Sequence, residues 1–510
     1  MRIVRRTFAA LVMAVLSSGG AFSSAFAQTS PSMADAEAAY LKGDYETAKK
    51  VLEPLAEAGD ALAQFRLGYI HARGQGGEPD YARAAEWLQK SADQGNTDAE
   101  SLLGRLLLQG TGIERNIEKA ADLLQRAAEK GDLQAQYNVG QLFQLGVGVE
   151  RDPVKALTWF QSAARGGMAE AQYELGVIYA RGIGAKANSA EAIKWLTAAA
   201  DNELPIAQFT LALNYGRGSG VPKDDAKALE LYTAAAEGGY VPAQGVLGSL
   251  YLSGEGVEKN LDEALKWLRK AAEGDDAGAQ GNLGYMHATG TGVTKDDAEA
   301  AGWYRKAAEN GSVRAAAALG MMYETGRGVN EDIAAAMSWY GEAARAGDAN
   351  AQARLGRIYA EGRGEPDDPL EEALWTALAA ANGDETALEW LQKAAADGSA
   401  VAQGRLAHLY AEGKASAADE DEALRLYRAA AEAGDPFAQL MLGRLYATGD
   451  GVEQDYVQAH KWANLAAAGG DAEAIKSREA FSKLMTPEQV SEAQRLAREW
   501  TAKSLGVAAE

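Results

Sequence analysis

Apolar and small residues recur along most of the chain with a period of 36 residues. In the copy from Ala243 to Gly278, they occupy positions 0, 4, 5, 7 and 8 after the opening alanine, which share one helix face. Such a period is typical of an α/α solenoid, in which each unit buries its apolar face by stacking on its neighbours. Eleven copies, with a 15-residue insertion before the tenth, open at Ala63, Ala99, Ala135, Ala171, Ala207, Ala243, Ala279, Ala315, Ala351, Ala402 and Ala438.

Two kinds of signal divide each copy into two helices. Position 11 is glycine in every copy, from Gly74 to Gly449, which suits a left-handed helix end. Position 17 is Asp or Asn in every copy, and these side chains accept hydrogen bonds from the free N–H groups of a helix start. These helix-capping residues are Asp80, Asn116, Asp152, Asn188, Asp224, Asn260, Asp296, Asp332, Asp368, Asp419 and Asp455.

Two positions predict how the helices pack. Glycine at position 5, as in Gly248, lacks a side chain and predicts close approach of a neighbouring helix. Tryptophan at position 24, as in Trp267, removes a large apolar area from water, so we interpret the tryptophans as core residues.

The pattern resembles the Sel-one-like repeat (SLR) family, α/α relatives of the tetratricopeptide repeat. Recurrent Ala-Gln, Leu-Gly, Tyr, Gly-x-Gly-Val, Asp/Asn and Ala-x-x-Trp carry the resemblance from Ala63 to about Glu473. It implies an all-α fold, a right-handed α/α solenoid of about eleven helix-turn-helix repeats with helical caps. The departures from the pattern are Ala212, Ala407, Leu123, Leu231, Leu426, Glu203 and Asp275.

The remaining segments complete the predicted organisation. Residues 28–62 form a lead-in and a capping helical hairpin, 63–473 the repeats, and 474–510 the C-terminal capping helices. We expect an extra helix at about 369–383, because residues 385–395 match the second helix a further time. That helix is either a neutral insertion, or it changes the curvature of the solenoid or adds a docking surface.

The N-terminus has the composition of an export signal. Three arginines precede an apolar run from Phe8 to Leu16, and Ala25 to Ala27 give a small-x-small cleavage site before Gln28. The sequence therefore predicts a signal peptide at 1–27, cleaved between Ala27 and Gln28, and a periplasmic or extracellular protein. An uncleaved anchor is the alternative, but Ser and Gly residues interrupt the apolar run.

The net charge and the absence of cysteine argue against some classes of function and structure. The formal net charge is -22, or -25 without the three arginines of the leader. Such an acidic chain argues against nonspecific binding to nucleic acid. We expect no integral membrane span after signal cleavage. The absence of cysteine excludes a disulfide framework.

The motifs for catalysis are missing from the sequence. The Gly-x-Gly of each copy, such as Gly146 and Gly148, follows a helix and lacks the third glycine of a nucleotide loop. No phosphate-loop lysine, G-x-S-x-G or S-x-x-K motif occurs. No pair of the four histidines has metal-ligand spacing. We therefore predict no catalytic residue, metal or cofactor. The histidines are His71, His287, His408 and His460.

The variable positions of the first helix carry the functional prediction. Positions 3, 6 and 10 share a face away from the core, which lines the concave surface in tetratricopeptide-like solenoids. They hold nine arginines but only three acids, Glu174, Glu361 and Glu412, so their charge is opposite in sign to the net charge of the chain. The sequence predicts a groove for a partner bearing carboxylate or phosphate groups. The alternative is that the arginines solubilise this face and pair with nearby acids. The candidate concave-face residues are Arg66, Arg73, Arg105, Arg181, Arg217, Arg354, Arg357, Arg405, Arg444, Tyr69 and Tyr285, with Met321 and Met441 as further apolar anchors.

We therefore expect a non-catalytic periplasmic or secreted scaffold that binds protein partners through an acidic segment of the partner. The resemblance implies roles in envelope signalling or in the assembly of complexes. The alternatives are a module that binds glycan or peptidoglycan, and a β-lactamase-like hydrolase. The sequence does not determine the oligomeric state.

Overall fold

A computed structural model describes residues 32–364, 369–415 and 419–504. These residues form 27 α-helices, one short 3-10 helix at Ala467–Gly469, and no strand. Contacts divide the chain into two compact units that meet between Asn202 and Glu203. The prediction of an all-α repeat fold is confirmed.

The first unit contains ten helices in the described residues. The hairpin α1 and α2 precedes four repeats, each made of a first and a second helix. The helices are α1 (Met33–Leu41), α2 (Tyr45–Glu57), α3 (Ala61–Arg73), α4 (Tyr81–Asp93), α5 (Thr97–Gln109), α6 (Ile117–Glu129), α7 (Leu133–Leu145), α8 (Pro153–Arg165), α9 (Ala169–Arg181) and α10 (Ser189–Asp201).

The second unit contains the other seventeen α-helices of the described residues. The helices are α11 (Pro205–Arg217), α12 (Asp225–Glu237), α13 (Val241–Ser253), α14 (Leu261–Glu273), α15 (Ala277–Thr289), α16 (Asp297–Glu309), α17 (Val313–Thr325), α18 (Ile333–Arg345), α19 (Ala349–Ala360), α20 (Pro369–Ala381), α21 (Glu385–Ala396), α22 (Ala400–Ala411), α23 (Glu420–Glu432), α24 (Pro436–Thr448), α25 (Tyr456–Ala466), α26 (Ala472–Ser482) and α27 (Pro487–Ser504).

Local hydrogen bonds start and end these helices as the sequence predicts. Asn260, for example, accepts from the backbone N–H of Glu263 at 3.1 Å at the start of α14. Gly254 ends α13 in the left-handed conformation, at φ 80°. The predicted cap Asp368 lies outside the described residues. A second set of caps was not predicted. Most first helices also have Asp, Asn or Ser as their N-cap, three residues before the opening alanine. Asp276, for example, accepts a hydrogen bond from the Ala279 N–H.

The core of each repeat forms where its two helices cross. A Cβ on Gly248 would lie 2.7 Å from the Leu268 side chain, so the glycine permits the approach that the sequence predicts. Leu268 is fully buried. The adjacent tryptophan is more variable. Trp267, Trp375 and Trp462 are buried, and the other repeat tryptophans are half-buried, so the interpretation as core applies fully only to these three.

Residues between α19 and α22 interrupt the alternation of first and second helices. α20 packs on α19 as a second helix does, and α21 follows it as a single helix. α21 begins with a first-helix cap, since Asp384 accepts from the Ala387 N–H at 3.0 Å. It ends with the Trp-x-x-x-Ala-Ala pattern of a second helix. The contacts therefore favour α21 as the additional helix, although the sequence pointed to about 369–383.

Two helices close the described C-terminal region. Thr486 and Gln489 form the predicted capping box at the start of α27, with hydrogen bonds of 2.9 and 3.3 Å. The Trp500 ring packs edge-on against Trp462, and its indole N–H donates to Glu432 at 3.0 Å. The apolar end of the last repeat is thereby covered.

Candidate binding surface

First helices of successive repeats lie side by side. In the second unit, α13 contacts α15, α15 contacts α17, and α22 contacts α24. Each of these pairs joins first helices across an intervening second helix. Within these two groups the first helices therefore share a surface, which carries Tyr285 on α15, Met321 on α17, Arg405 on α22, and Met441 and Arg444 on α24.

The candidate residues of the first unit are spread over three helices. On α3, the Arg73 guanidinium lies over the Tyr69 ring at 5.5 Å, and Arg66 forms an ion pair of 3.6 Å with Glu37. Arg105 on α5 is half-buried, and Arg181 at the end of α9 is exposed. The structure thus brings only the α3 residues together in this unit.

Two candidate arginines of the second unit are held by acids. Arg354 lies 3.7 Å from Glu324, a carboxylate that is 9% exposed and also accepts from the Tyr340 hydroxyl at 2.8 Å. Arg357 donates to Glu361 at 2.9 Å. These two arginines therefore pair with nearby acids, which is the alternative that the sequence left open.

Three further candidates of this unit are exposed. Arg217 lies at the end of α11. Tyr285 on α15 is 48% exposed, and Met321 on α17 is 39% exposed. Tyr285 and Met321 have large apolar side chains, and packing within the repeats does not explain why these side chains lie at the surface.

The remaining candidates, Arg405, Arg444 and Met441, line one cavity. Its volume is about 510 Å³, and it lies between the start of α20 and the helices α22, α24 and α26. Leu370 and Phe437 contribute to its apolar wall. Candidates from two different first helices, α22 and α24, therefore lie close together here.

Arg405 is the unusual charge of this cavity. Its guanidinium carbon lies 4.0 Å from the centroid of the Phe437 ring. Its Nε is buried, and no hydrogen bond or ion pair joins Arg405 to another described residue. Burial lowers the pKa of Arg405, and the charge of Asp435 only partly offsets this.

The other charged groups of the cavity have partners. Asp435 and Asp471 each accept from a backbone N–H at the start of a helix, at 2.7 Å. Burial raises the pKa of Asp435, opposed by this hydrogen bond and by Arg405. Arg444 forms an ion pair with Glu473.

His408 borders the same cavity. Its Nδ1 lies 3.3 Å from the Tyr427 hydroxyl, and its Nε2 lies 3.3 Å from Glu412. The imidazole also packs edge-on against the Phe437 ring. The His408 side chain is 41% exposed, in line with the exposed position that the sequence predicts, whereas its contact with Phe437 of α24 could not be foreseen from one helix.

A second surface feature lies around Trp303 on α16. Two open depressions of about 410 and 390 Å³ border this half-buried ring. Glu273, Gln280 and Asn310 line the second of them. The Lys306 ammonium lies 4.6 Å above the ring centroid. The ammonium therefore occupies one face of the Trp303 ring, which leaves a sugar less of the ring to stack on.

Among the described residues, no group of three or more His, Cys, Asp and Glu side chains is arranged to hold a metal ion. None of the described helices is both long and apolar enough to cross a membrane.

Comparison with known families identifies the repeats. The model of the Sel1 repeat matches twelve segments, at residues 61–96, 97–132, 133–168, 169–204, 205–240, 241–276, 277–312, 313–348, 349–384, 380–399, 400–435 and 436–471. The chain belongs to the Sel1 repeat family. Sel1 repeat proteins typically act as scaffolds for protein–protein interaction and are generally non-catalytic.

Two solved structures are similar to this chain. A protective antigen of uropathogenic Escherichia coli with an SLR fold is 32% identical, and the alignment covers 91% of this chain and 98% of that one, with a TM-score of 0.58. A Sel1 repeat protein from Oxalobacter formigenes is 33% identical over 61% of this chain and 89% of its own, with a TM-score of 0.47. The comparison with curated proteins finds no match.

Proposed function

We propose that this Sel1 repeat protein is a non-catalytic, exported scaffold that binds a protein partner on the surface of its first helices. The observation that carries the proposal is the set of side chains on that surface which packing does not explain. Tyr285 and Met321 are large and exposed, and the Arg405 side chain forms no ion pair or hydrogen bond with the described residues. Exposed aromatic, Met and Arg side chains are enriched where proteins bind one another.

Arginine supports a protein partner more directly than a glycan. Its planar guanidinium matches a carboxylate through two parallel hydrogen bonds, and acidic side chains are abundant on protein surfaces. The described tryptophan that borders open depressions, Trp303, has a lysine above its ring. The first-helix surface is therefore the better candidate interface.

Site-specific photo-crosslinking in the producing cell tests this proposal. A photoreactive phenylalanine analogue replaces Tyr285 or Met321, and a control places it at Arg269, which is exposed on the second helix α14. We expect a discrete crosslinked protein from the first two positions and not from the control. Crosslinks only from Arg269, or from none of the three positions, would contradict the proposed interface.

Export is a separate part of the proposal, because residues 1–27 lie outside the described structure. The basic leader, apolar run and small-x-small site support cleavage before Gln28. Intact-mass measurement of the protein from an extracytoplasmic fraction should give a chain that begins at Gln28. A chain that retains the leader and stays in the cytoplasm would refute this part alone.

A further inference from the structure

The consecutive first helices α13 and α15 contain no Asp, Glu, Lys or Arg, although 24% of the residues in the chain are charged. The second helices α14 and α16 of the same repeats contain six and five of these residues. In these two repeats the second helices therefore supply the charge that a water-exposed helix face ordinarily carries. The first helices present a different kind of surface.

Positions 3, 6 and 10 of α13, α15 and α17 form a neutral first-helix surface, since none of them is Asp, Glu, Lys, Arg or His. Side chains of neighbouring repeats meet on it, because the Asn282 amide of α15 donates to the Ser249 hydroxyl of α13 at 2.9 Å. Tyr285 and Met321, both at position 6, are 48% and 39% exposed. Two large apolar side chains of consecutive repeats therefore project from a surface without charge.

The polar groups of this surface are satisfied within the protein. The Thr289 and Thr325 hydroxyls each donate to the backbone carbonyl four residues earlier, at 2.8 and 2.7 Å. The Ser249 hydroxyl does the same at 2.8 Å and also accepts from Asn282. A charged side chain of a partner would therefore lose water on this surface without gaining an opposite charge.

The nearest charged residues on these helices lie at the rim of the surface. Asp276 caps the start of α15. Glu324 on α17 is 9% exposed and forms ion pairs with Arg354 and Arg363. Arg314 is exposed in the first turn of α17, seven residues before the exposed methionine, which is about 10 Å along the helix. None of these charges lies between the two large apolar side chains.

Large apolar side chains are the groups that gain most from contact with Tyr285 and Met321. Contact removes apolar area from water, at about 25 cal/mol per Å². The buried centre of a protein interface is also depleted in charge and enriched in aromatic residues and Met. The neutral first-helix surface has this composition, whereas the arginines elsewhere on first helices match an acidic segment.

We propose that the neutral first-helix surface binds an uncharged segment of a partner protein, whose large apolar side chains contact Tyr285 and Met321. The inference rests on the proposed scaffold function and specifies the chemistry of the partner. The surface selects against charge of either sign, because neither sign finds a counter-charge there. This selection distinguishes the segment from the acidic one that the arginines predict.

Methyl NMR on the full chain tests the inference, because Met321 is one of the two exposed side chains. The methionine methyl groups are labelled with 13C, and Met441 on α24, the helix of Arg444, is the reference for non-selective binding. The probes are short blocked peptides of Gln, Ser and Gly that carry two Leu, Phe or Met residues at varied spacing. Matched peptides replace one Gln by Glu or by Lys.

We expect the uncharged peptides to shift the Met321 signal more strongly than the Met441 signal. The Glu and Lys peptides should both bind at Met321 about tenfold more weakly, since either charge would lose water there without a partner. A charged peptide that binds as tightly as the uncharged one, equal shifts at both methionines, or no shift with any peptide would overturn the inference. A Met321 shift that depends on protein concentration alone would also overturn it, in favour of a second copy of this chain.

Variants at Thr289 make the matching change on the protein. Thr289 is exposed on α15, one turn after Tyr285. Thr289→Glu and Thr289→Lys should both weaken the uncharged peptides about tenfold, whereas Thr289→Val, which is uncharged and of nearly equal size, should bind them at least as tightly as the wild type. Arg269→Glu on the second helix α14 should leave their binding unchanged.

The midpoint of thermal unfolding, equal to that of the wild type, would show that each variant is folded. Weakening by only one sign of charge at Thr289 would refute selection for an uncharged segment. Crosslinking at Tyr285 and Met321 reports contact with a partner whatever its charge. The scaffold proposal therefore survives a failure of the charge test, and its own failure is seen separately.

Discussion

The glutamine that follows the opening alanine joins consecutive helices. Gln280 is 1% exposed, and its amide N–H donates to the Ala272 carbonyl at 3.2 Å, near the end of α14. Its own carbonyl accepts from Asn310 at 3.0 Å. The side chain therefore satisfies a carbonyl of a helix end and links it to the last turn of the repeat.

We expect Gln280→Leu to destabilise this region by about 1 kcal/mol, because it removes the hydrogen bond to the Ala272 carbonyl and the one from Asn310. Hydrogen exchange measured by mass spectrometry should become faster in α14 and α15. Gln125→Leu is the control, since Gln125 is exposed and bonds only to Glu129 of its own helix in the structure. Exchange that is equally slow in both variants would contradict this role.

One copy shows how a charge can occupy the glutamine position. Glu100 is 1% exposed and cannot donate to a carbonyl, but Lys130 lies 2.7 Å and Arg126 3.5 Å from its carboxylate. Lys130 also donates to the Gly95 carbonyl at 3.0 Å. A buried acid is tolerated here because two cations accompany it and one of them satisfies the backbone.

A half-buried phenol on the first helix α7 predicts a pH dependence. Burial, followed by the charge of Glu174, raises the pKa of Tyr137 to about 12, above the ordinary value of about 10. Unfolding between these pH values releases a proton, so stability should fall as the pH rises through this interval. Denaturation midpoints between pH 9 and 11.5 should fall less steeply for Tyr137→Phe than for the wild type. Tyr285→Phe, at an exposed ring, should keep the wild-type slope, and identical slopes for all three proteins would refute the prediction.

At the scale of the element, the hairpin depends on glycine at the helix crossing. A Cβ at Gly248 would lie 2.7 Å from Leu268 Cγ and 3.0 Å from its backbone nitrogen. Neither the leucine in its packed core nor the backbone can move away cheaply. Close contact between the two helices therefore outweighs the low helix propensity of glycine at this position.

We expect Gly248→Ala to destabilise the α13–α14 hairpin by about 1–3 kcal/mol through overpacking. Gly302→Ala is the matched control, because Gly302 lies inside α16 and a Cβ there would meet nothing within 4 Å. That change should stabilise its helix by about 0.5–1 kcal/mol, as alanine is the better helix former. Denaturant unfolding checks both signs, and a stabilising Gly248→Ala would disprove the crossing argument.

At the scale of the molecule, the single helix α21 interrupts an otherwise regular register. Ala387 lies 36 residues after Ala351, and Ala402 follows only 15 residues later. Both alanines are fully buried at the start of their helices. α21 thus combines the start of a first helix with the end of a second one, which explains why the sequence pattern breaks only once and then resumes.

Deletion of residues 387–401 should therefore give a folded protein. Ala402 would follow Ala351 by 36 residues, with Asp384 three residues before it as a first-helix cap. Circular dichroism and cooperative unfolding should remain near the wild type. Deletion of 387–397 is the control, since it leaves Ala402 out of register and should broaden the transition. Loss of structure in both deletions would show that α21 is required for this region to fold.

Much of the fold follows from residues that act within a few positions along the chain. Asn260 begins a helix and Gly254 ends one through their own conformational and hydrogen-bonding preferences, so a single sequence reveals them. Repetition adds certainty, because eleven copies place the same residues at the same positions. The all-α repeat architecture and the positions of the helices were accordingly predictable.

The candidate site was only partly predictable, since it depends on distances between residues far apart in the chain. The sequence identified Arg354 and Arg405 in the same way, as arginines at position 3 of a first helix. Tertiary packing alone decided that Arg354 lies within ion-pair distance of Glu324, whereas Arg405 stacks on the Phe437 ring and interacts with the charge of Asp435 only at longer range. The sequence by itself therefore determined the repeated helices and the surface they share, through short-range preferences and the helical period. The tertiary structure decided which charges on that surface are compensated, because Coulomb and hydrogen-bond energies act over a few ångströms between neighbours in space.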